Sequence, residues 1–271
     1  MSSPPRRDDS SPSRRPVTLM KLAEKRALGE PIVMVTAYDH PSALAVEAAG
    51  VDIVLVGDSA ANNVLGYPDT VPVTVEELLM LSAAVHRGLT TPLLVGDLPF
   101  GSYEASDTQA ITTAQRFVKE AGCDAVKLEG GGASAERARA IVRAGVPVMG
   151  HVGLTPQTAT ALGGYRDTVP ITLDEILMLA RAVRRGLRTP LMVGDLPFGT
   201  YEASDEQAIA TAHRFVKEAG CDAVKLEGGG QMAQRARAIV EAGTPVMGHV
   251  GLTPQTATCL LYTSPSPRDR S

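Results

Sequence analysis

The sequence predicts an α/β fold, a (β/α)8 barrel of the TIM type, and three observations predict it. Short apolar runs alternate with amphipathic stretches of helical period. The runs are apolar throughout, as strands of a parallel sheet buried on both faces are. Setting aside two polar ends leaves about 240 residues, the usual size of such a barrel. There is no Trp and only 4 % of residues are aromatic, so Ala, Val, Leu and Gly must build the core.

Residues 1–16, MSSPPRRDDSSPSRRP, hold nothing that can be buried and read as a disordered tail. Asp8 and Asp9 argue against a basic targeting peptide. Strands are expected at PIVMVTAY (31–38), DIVLVGD (52–58), PLLVGD (92–97), DAVKLEG (124–130) and PVMGHVG (147–153). Thr74 with Glu77 reads as a capping box opening the helix EELLMLSAAVHRG. Ser106 with Gln109 reads the same way for QAITTAQRFVKEAG, which Gly122 ends. Alternation of these units predicts right-handed crossovers.

Residues 69–160 return as 167–258 at a constant offset of 98, without gaps. Of 92 aligned positions 74 are identical, which fits two homologous segments better than an old half-barrel duplication. The period is also too long for a solenoid unit of about 20–50 residues. The second copy adds strands PLMVGD, DAVKLEG and PVMGHVG, bringing the expected count to eight. Strands 3–5 thus recur where strands 6–8 of a barrel belong. Two near-identical segments compete for one place, so an irregular barrel with one copy displaced is the alternative expectation. Gly66-Tyr67-Pro68-Asp69 and Gly164-Tyr165-Arg166-Asp167 share a G-Y-x-D-T-V-P frame, which points to a junction between two related genes. The last thirteen residues, CLLYTSPSPRDRS (259–271), break the pattern, read as translated adapter sequence, and are set aside as a non-native tail.

With 26 Lys+Arg against 30 Asp+Glu the net charge is −4, which gives no electrostatic footprint for nucleic acid. No apolar run approaches the roughly 18 residues of a membrane span. Cys123, Cys221 and Cys259 do not make a disulfide framework, so a reducing cytoplasm is expected.

In a parallel barrel the active site lies at the C-terminal strand ends. Those ends carry Gly57-Asp58-Ser59, Gly96-Asp97, Lys127 with Glu129, and His151. Lys127 and Glu129 are two apart, so they share one face of their strand. Three carboxylates round one opening repel unless a cation lies between them, and oxygen-only ligands favour a hard ion such as Mg²⁺. A lysine beside them suits an anionic substrate. Singly, each feature has a plainer reading: a helix N-cap for an Asp, a salt bridge for Lys-x-Glu, a core histidine for His151, and a βα turn for Gly130-Gly131-Gly132. Their conjunction at four consecutive strand ends favours function.

The strings VTAYDHPSALAVEAAGVDIVLVGDS, VLGY, VPVT, GDLPFGSY, AVKLEGG and PVMGHVGLTPQ, leading into LGGYR, resemble the ketopantoate hydroxymethyltransferase family over residues 17–166. The resemblance implies a (β/α)8 barrel, homo-oligomeric assembly and transfer of a one-carbon unit from 5,10-methylenetetrahydrofolate to 3-methyl-2-oxobutanoate, giving 2-dehydropantoate. It implies Mg²⁺ ligation by Asp58 and Asp97 with Glu129 at the metal site. It also implies that Asp58, Ser59, Asp97 and Lys127 hold the 2-oxo acid. The family's general base, a Glu in a VLECVP-like segment after GGYR, has no counterpart, because the chain returns to DTVP instead. Asp195 at the end of the sixth strand is the candidate for the vacant role. The second set, Asp195, Lys225, Glu227 and His249, repeats the chemical groups without a GDS strand of its own. Two alternatives stand beside this reading: a related Mg²⁺-dependent lyase or hydrolase of 2-oxo acids, and a non-catalytic chimaeric chain.

Overall fold

A computed structural model describes residues 15–152, 157, 169–186, 191–249 and 255 of the chain. Most of the N-terminal tail, the Arg166–Asp167 junction and the whole C-terminal tail lie outside the described residues, as does Cys259.

Elements alternate in chain order: α1 (Leu19–Leu28), β1 (Met34–Thr36), α2 (His40–Ala49), β2 (Ile53–Val56), the single turn α3 (Ala60–Asn63), α4 (Val75–His86), β3 (Leu93–Asp97), α5 (Asp107–Ala121), β4 (Ala125–Glu129), α6 (Ala133–Arg143) and β5 (Val148–Val152). They continue as α7 (Leu173–Gly186), β6 (Val193–Asp195), α8 (Asp205–Ala219), β7 (Ala223–Glu227), α9 (Gln231–Glu241) and β8 (Val246–His249). All eight strands are parallel and stand in sequence order. β8 returns against β1, so the sheet curls into a nearly closed barrel. Both copies take consecutive places in it, and neither is displaced. Irregularity shows at two seams: β5 and β6 share only the pairs His151↔Val193 and Val152↔Gly194, and β8 lies against β1 without a ladder between them.

Just before β2, β4 and β7 an aspartate ties the strand to its neighbour through both backbone and side chain, the Asp52, Asp124 and Asp222 amides donating to the Val33, Leu94 and Met192 carbonyls. Asp52 accepts the Val33 amide at 2.8 Å, Asp124 accepts Leu94 at 2.8 Å, and Asp222 accepts Met192 at 3.0 Å. Each carboxylate satisfies a backbone donor that the short ladder leaves open. The Thr74–Glu77 capping box forms in both directions, and Thr172–Glu175 repeats it before α7. The Ser106 box is only half made. Ser106 accepts from Gln109 N at 3.1 Å, but the Gln109 side chain turns to Ala105 N and Gly101 O.

The barrel interior is layered. Ile53, Leu93, Val95 and Ala125 form an apolar layer toward the N-terminal end, against which Leu22 of α1 packs. Two residues further along, the same faces carry Asp97 and Lys127. Outside the sheet each copy builds its own core, around Tyr103 and Phe117 in the first and Tyr201 and Phe215 in the second. Gly96 and Gly194 are required by these phenylalanines. A Cβ on either would lie 2.4 Å from Phe117 or 2.2 Å from Phe215.

Candidate active site

Register places the polar side chains beside one another. Asp97 stands opposite Lys127, and Glu129 opposite His151. The Lys127 Nζ lies 2.5 Å from Asp97 Oδ2 and 3.2 Å from Glu129 Oε1. His151 Nδ1 lies 2.7 Å from the same Glu129 oxygen. Asp58, in the turn after β2, joins them, and its amide donates to Asp97 Oδ2 at 3.2 Å. All four of Asp58, Asp97, Lys127 and Glu129 are buried. Ser59 follows at the rim, its Oγ 2.8 Å from the Tyr38 hydroxyl, which also accepts from Asn63 at 3.3 Å.

Oxygens of Asp58, Asp97 and Glu129 lie within 4.8 Å of one another, and among the described residues no other acidic, His or Cys trio is so placed. Burial pushes the Asp97 and Asp58 carboxyls up, and neighbouring carboxylates push them further against the pull of Lys127. Burial would raise Glu129 too, but Lys127 and His151 hold it down at about 2. Burial opposes the Lys127 ammonium, and the surrounding carboxylates nonetheless raise its pKa. Asp97 Oδ1 is enclosed and has no hydrogen-bond partner. Three converging carboxylates, hard oxygen donors throughout and one orphaned buried oxygen fit a divalent cation such as Mg²⁺.

The second copy repeats the row but not the trio. Lys225 pairs with Asp195 and lies 3.5 Å from Glu227 Oε1, and His249 Nδ1 lies 3.1 Å from that oxygen. Against the opposition of burial the surrounding carboxylates raise the Lys225 pKa, and the Lys127 charge opposes them weakly. The strand before β6 is β5, whose chain continues Gly153-Leu154-Thr155 with no carboxylate. Asp195, the candidate base, has Oδ2 bound by Lys225 and Oδ1 buried without a partner.

Every site residue expected in the first copy thus meets at one barrel mouth. Gly130 and Gly132 form the βα turn in left-handed geometry, with φ of +105° and +57°. Sequence reasoning missed Gln157, Tyr103 and Tyr38. Gln157 is buried and donates from Nε2 to Asp58 Oδ2 at 2.9 Å. Tyr103 OH lies 2.8 Å from Gln157 Oε1 and accepts from Glu129 N at 3.2 Å. Their only signal was position inside the strings TAYD, GDLPFGSY and HVGLTPQ.

A model of the family described as ketopantoate hydroxymethyltransferase matches residues 16–167 and again 164–264. The 3-methyl-2-oxobutanoate hydroxymethyltransferase of Saccharopolyspora erythraea is 57 % identical over 157 residues, 58 % of this chain and 54 % of that protein. The enzyme of that name from Carboxydothermus hydrogenoformans is 55 % identical over 172 residues, 61 % of this chain and 62 % of its own length. The Arabidopsis thaliana protein, 3-methyl-2-oxobutanoate hydroxymethyltransferase 1, mitochondrial, is 55 % identical over 157 residues, 58 % of this chain and 45 % of its own length. The chain therefore spans about half the length of the curated relatives it matches. Among solved structures, a phosphonopyruvate hydrolase complex with oxalate and Mg²⁺ superposes with a TM-score of 0.59 at 13 % identity, covering 89 % of this chain and 81 % of that one. A 2,3-dimethylmalate lyase of the PEP mutase/isocitrate lyase superfamily gives 0.57 at 16 %, covering 89 % and 82 %. At such identities the likeness shows the barrel fold alone. With both halves matched by its model, the chain belongs to the ketopantoate hydroxymethyltransferase family.

Proposed function

We propose that the chain transfers a hydroxymethyl group from 5,10-methylenetetrahydrofolate to 3-methyl-2-oxobutanoate, giving 2-dehydropantoate, at the mouth formed by β2, β3 and β4. The observation that carries this reading is the buried trio Asp58, Asp97 and Glu129 with Lys127 among them. Bound by the trio, Mg²⁺ would supply Lewis-acid polarisation of the 2-oxo acid. Lys127 places a fixed positive charge where negative charge grows on the keto oxygen as the C3 proton leaves. Ser59 at the rim offers a hydroxyl to the substrate carboxylate. Asp195 Oδ1, lacking a donor, is the acceptor assigned to the C3 proton. Family resemblance also carries the folate co-substrate and assembly into a homo-oligomer, while the cysteine usage supports a reducing, cytoplasmic setting. No helix among the described residues is long and apolar enough to cross a membrane.

Deuterium exchange at C3 of 3-methyl-2-oxobutanoate, followed by proton NMR without folate, tests the proton step alone. Exchange that needs Mg²⁺ and disappears in Asp195→Asn is expected. Exchange unchanged in Asp195→Asn removes that residue from the role. No exchange in a folded, Mg²⁺-binding chain contradicts the transferase reading and favours a lyase or hydrolase of another 2-oxo acid.

A further inference from the structure

We propose that Gln157 is the positioning residue that sets the cation affinity of the Asp58–Asp97–Glu129 trio. The inference rests on the reading of that trio as a divalent cation site. Gln157 touches all three strand ends that supply the carboxylates. Its Nε2 donates to Asp58 Oδ2 after β2 at 2.9 Å, and to the Leu98 carbonyl next to Asp97 at 3.1 Å. Its backbone amide donates to Glu129 Oε2 at 3.3 Å. The carboxamide cannot be reversed, because Nε2 faces two acceptors while Oε1 faces the Tyr103 hydroxyl at 2.8 Å. Tyr103, itself enclosed, is bound at the same point to the Glu129 backbone. Gln157 thereby fixes the plane of the Asp58 carboxylate and shares Glu129 with Lys127 and His151. A neutral donor can hold two carboxylates close without competing as a cation, which leaves the charge of the trio for the metal.

The second copy provides the matched control. Gln255 is as buried and makes the same contacts: Tyr201 OH at 2.7 Å, Glu227 Oε2 at 3.1 Å and the Leu196 carbonyl at 2.9 Å. Among the described residues it has no aspartate partner. Whatever Gln157 contributes to packing, Gln255 contributes too, and only the contact to Asp58 differs.

Mn²⁺ binding to the full chain, measured by electron paramagnetic resonance, with thermal unfolding alongside, tests this. Gln157→Leu is expected to weaken Mn²⁺ at least about 10-fold, the usual scale for a group that orients a metal ligand. Gln255→Leu is expected to lower the melting temperature similarly and to leave Mn²⁺ affinity unchanged. Tyr103→Phe, which keeps the ring and frees Gln157 Oε1, is expected to weaken Mn²⁺ by a smaller factor, and Tyr201→Phe not at all. These milder variants decide the matter if the leucine variants do not fold. Equal losses in the two copies, or Mn²⁺ affinity unmoved by both Gln157→Leu and Tyr103→Phe, would overturn the proposal. Wild-type chain that binds no Mn²⁺ overturns the reading of the trio and the proposal with it. Binding that Asp97→Asn abolishes but Gln157→Leu spares overturns the proposal alone.

Discussion

The row Asp97–Lys127–Glu129–His151 and the row Asp195–Lys225–Glu227–His249 are built from the same sequence, in the same register, and differ in the strand that precedes them. Before the first stands β2, which ends in Asp58 and Ser59. Before the second stands β5, already used by His151 and followed by Gly-Leu-Thr. The consequence is visible in the side chains. Asp97 and Lys127 are 1 % and 10 % exposed, against 15 % and 20 % for Asp195 and Lys225. Beside Gln255 lies a cavity of about 20 Å³ lined by Ile171, Asp195, Leu196 and Glu227, room for about one water. A barrel strand end thus has two neighbours, and a duplicated segment inherits only its own half of a shared site.

Removing the lysines should separate the two rows most. Lys127→Met leaves three buried carboxylates facing one another and is expected to cost about 3–5 kcal/mol in urea unfolding with chelator present. Lys225→Met leaves a more exposed pair and should cost clearly less. Saturating Mg²⁺ should recover stability in the Lys127 variant and not in the Lys225 variant. Equal losses would mean that the rows are electrostatically equivalent.

Gly96→Ala and Gly194→Ala test where the copies are alike. Each forces a Cβ into a phenylalanine ring, and each should cost about 1–3 kcal/mol. A large difference between them would show that one copy packs more loosely.

The thiols offer a milder comparison. Burial pushes both Cys123 and Cys221 up to about 12, with Asp124 and Asp222 adding to it. At pH 8 only about one in ten thousand of either is then thiolate. In a Cys259→Ser background both should resist a thiol reagent until the barrel unfolds. Rapid reaction of one would mark its copy as locally open.

The smallest effect belongs to Ser82. Its enclosed hydroxyl makes no full hydrogen bond among the described residues and leans on the weakly bonding Cys123 thiol, and the second copy has Ala180 there. Ser82→Ala should be neutral or stabilising by up to about 1 kcal/mol in the same urea assay.

Much of this was legible in the chain. Continuous apolarity located all eight strands, and the i, i+2 spacing of Lys127 and Glu129 put them on one face. The charged site residues could be read because an acid or a lysine at the end of an apolar run is conspicuous. Gln157 and Tyr103 could not be read in that way. They are neutral, and the contact from Gln157 to Asp58 spans 99 positions. Local pattern also could not decide how two near-identical segments would share a barrel. That depends on which strand edges remain unpaired once β1 to β5 are in place, a property of the closed sheet.

The stoichiometry of Mn²⁺ binding is the most direct test, because among the described residues only the first copy holds a complete carboxylate trio. One Mn²⁺ per chain is predicted, lost in Asp58→Asn and retained in Asp195→Asn. Two ions per chain, or a single ion that survives Asp58→Asn and is lost in Asp195→Asn, would contradict it.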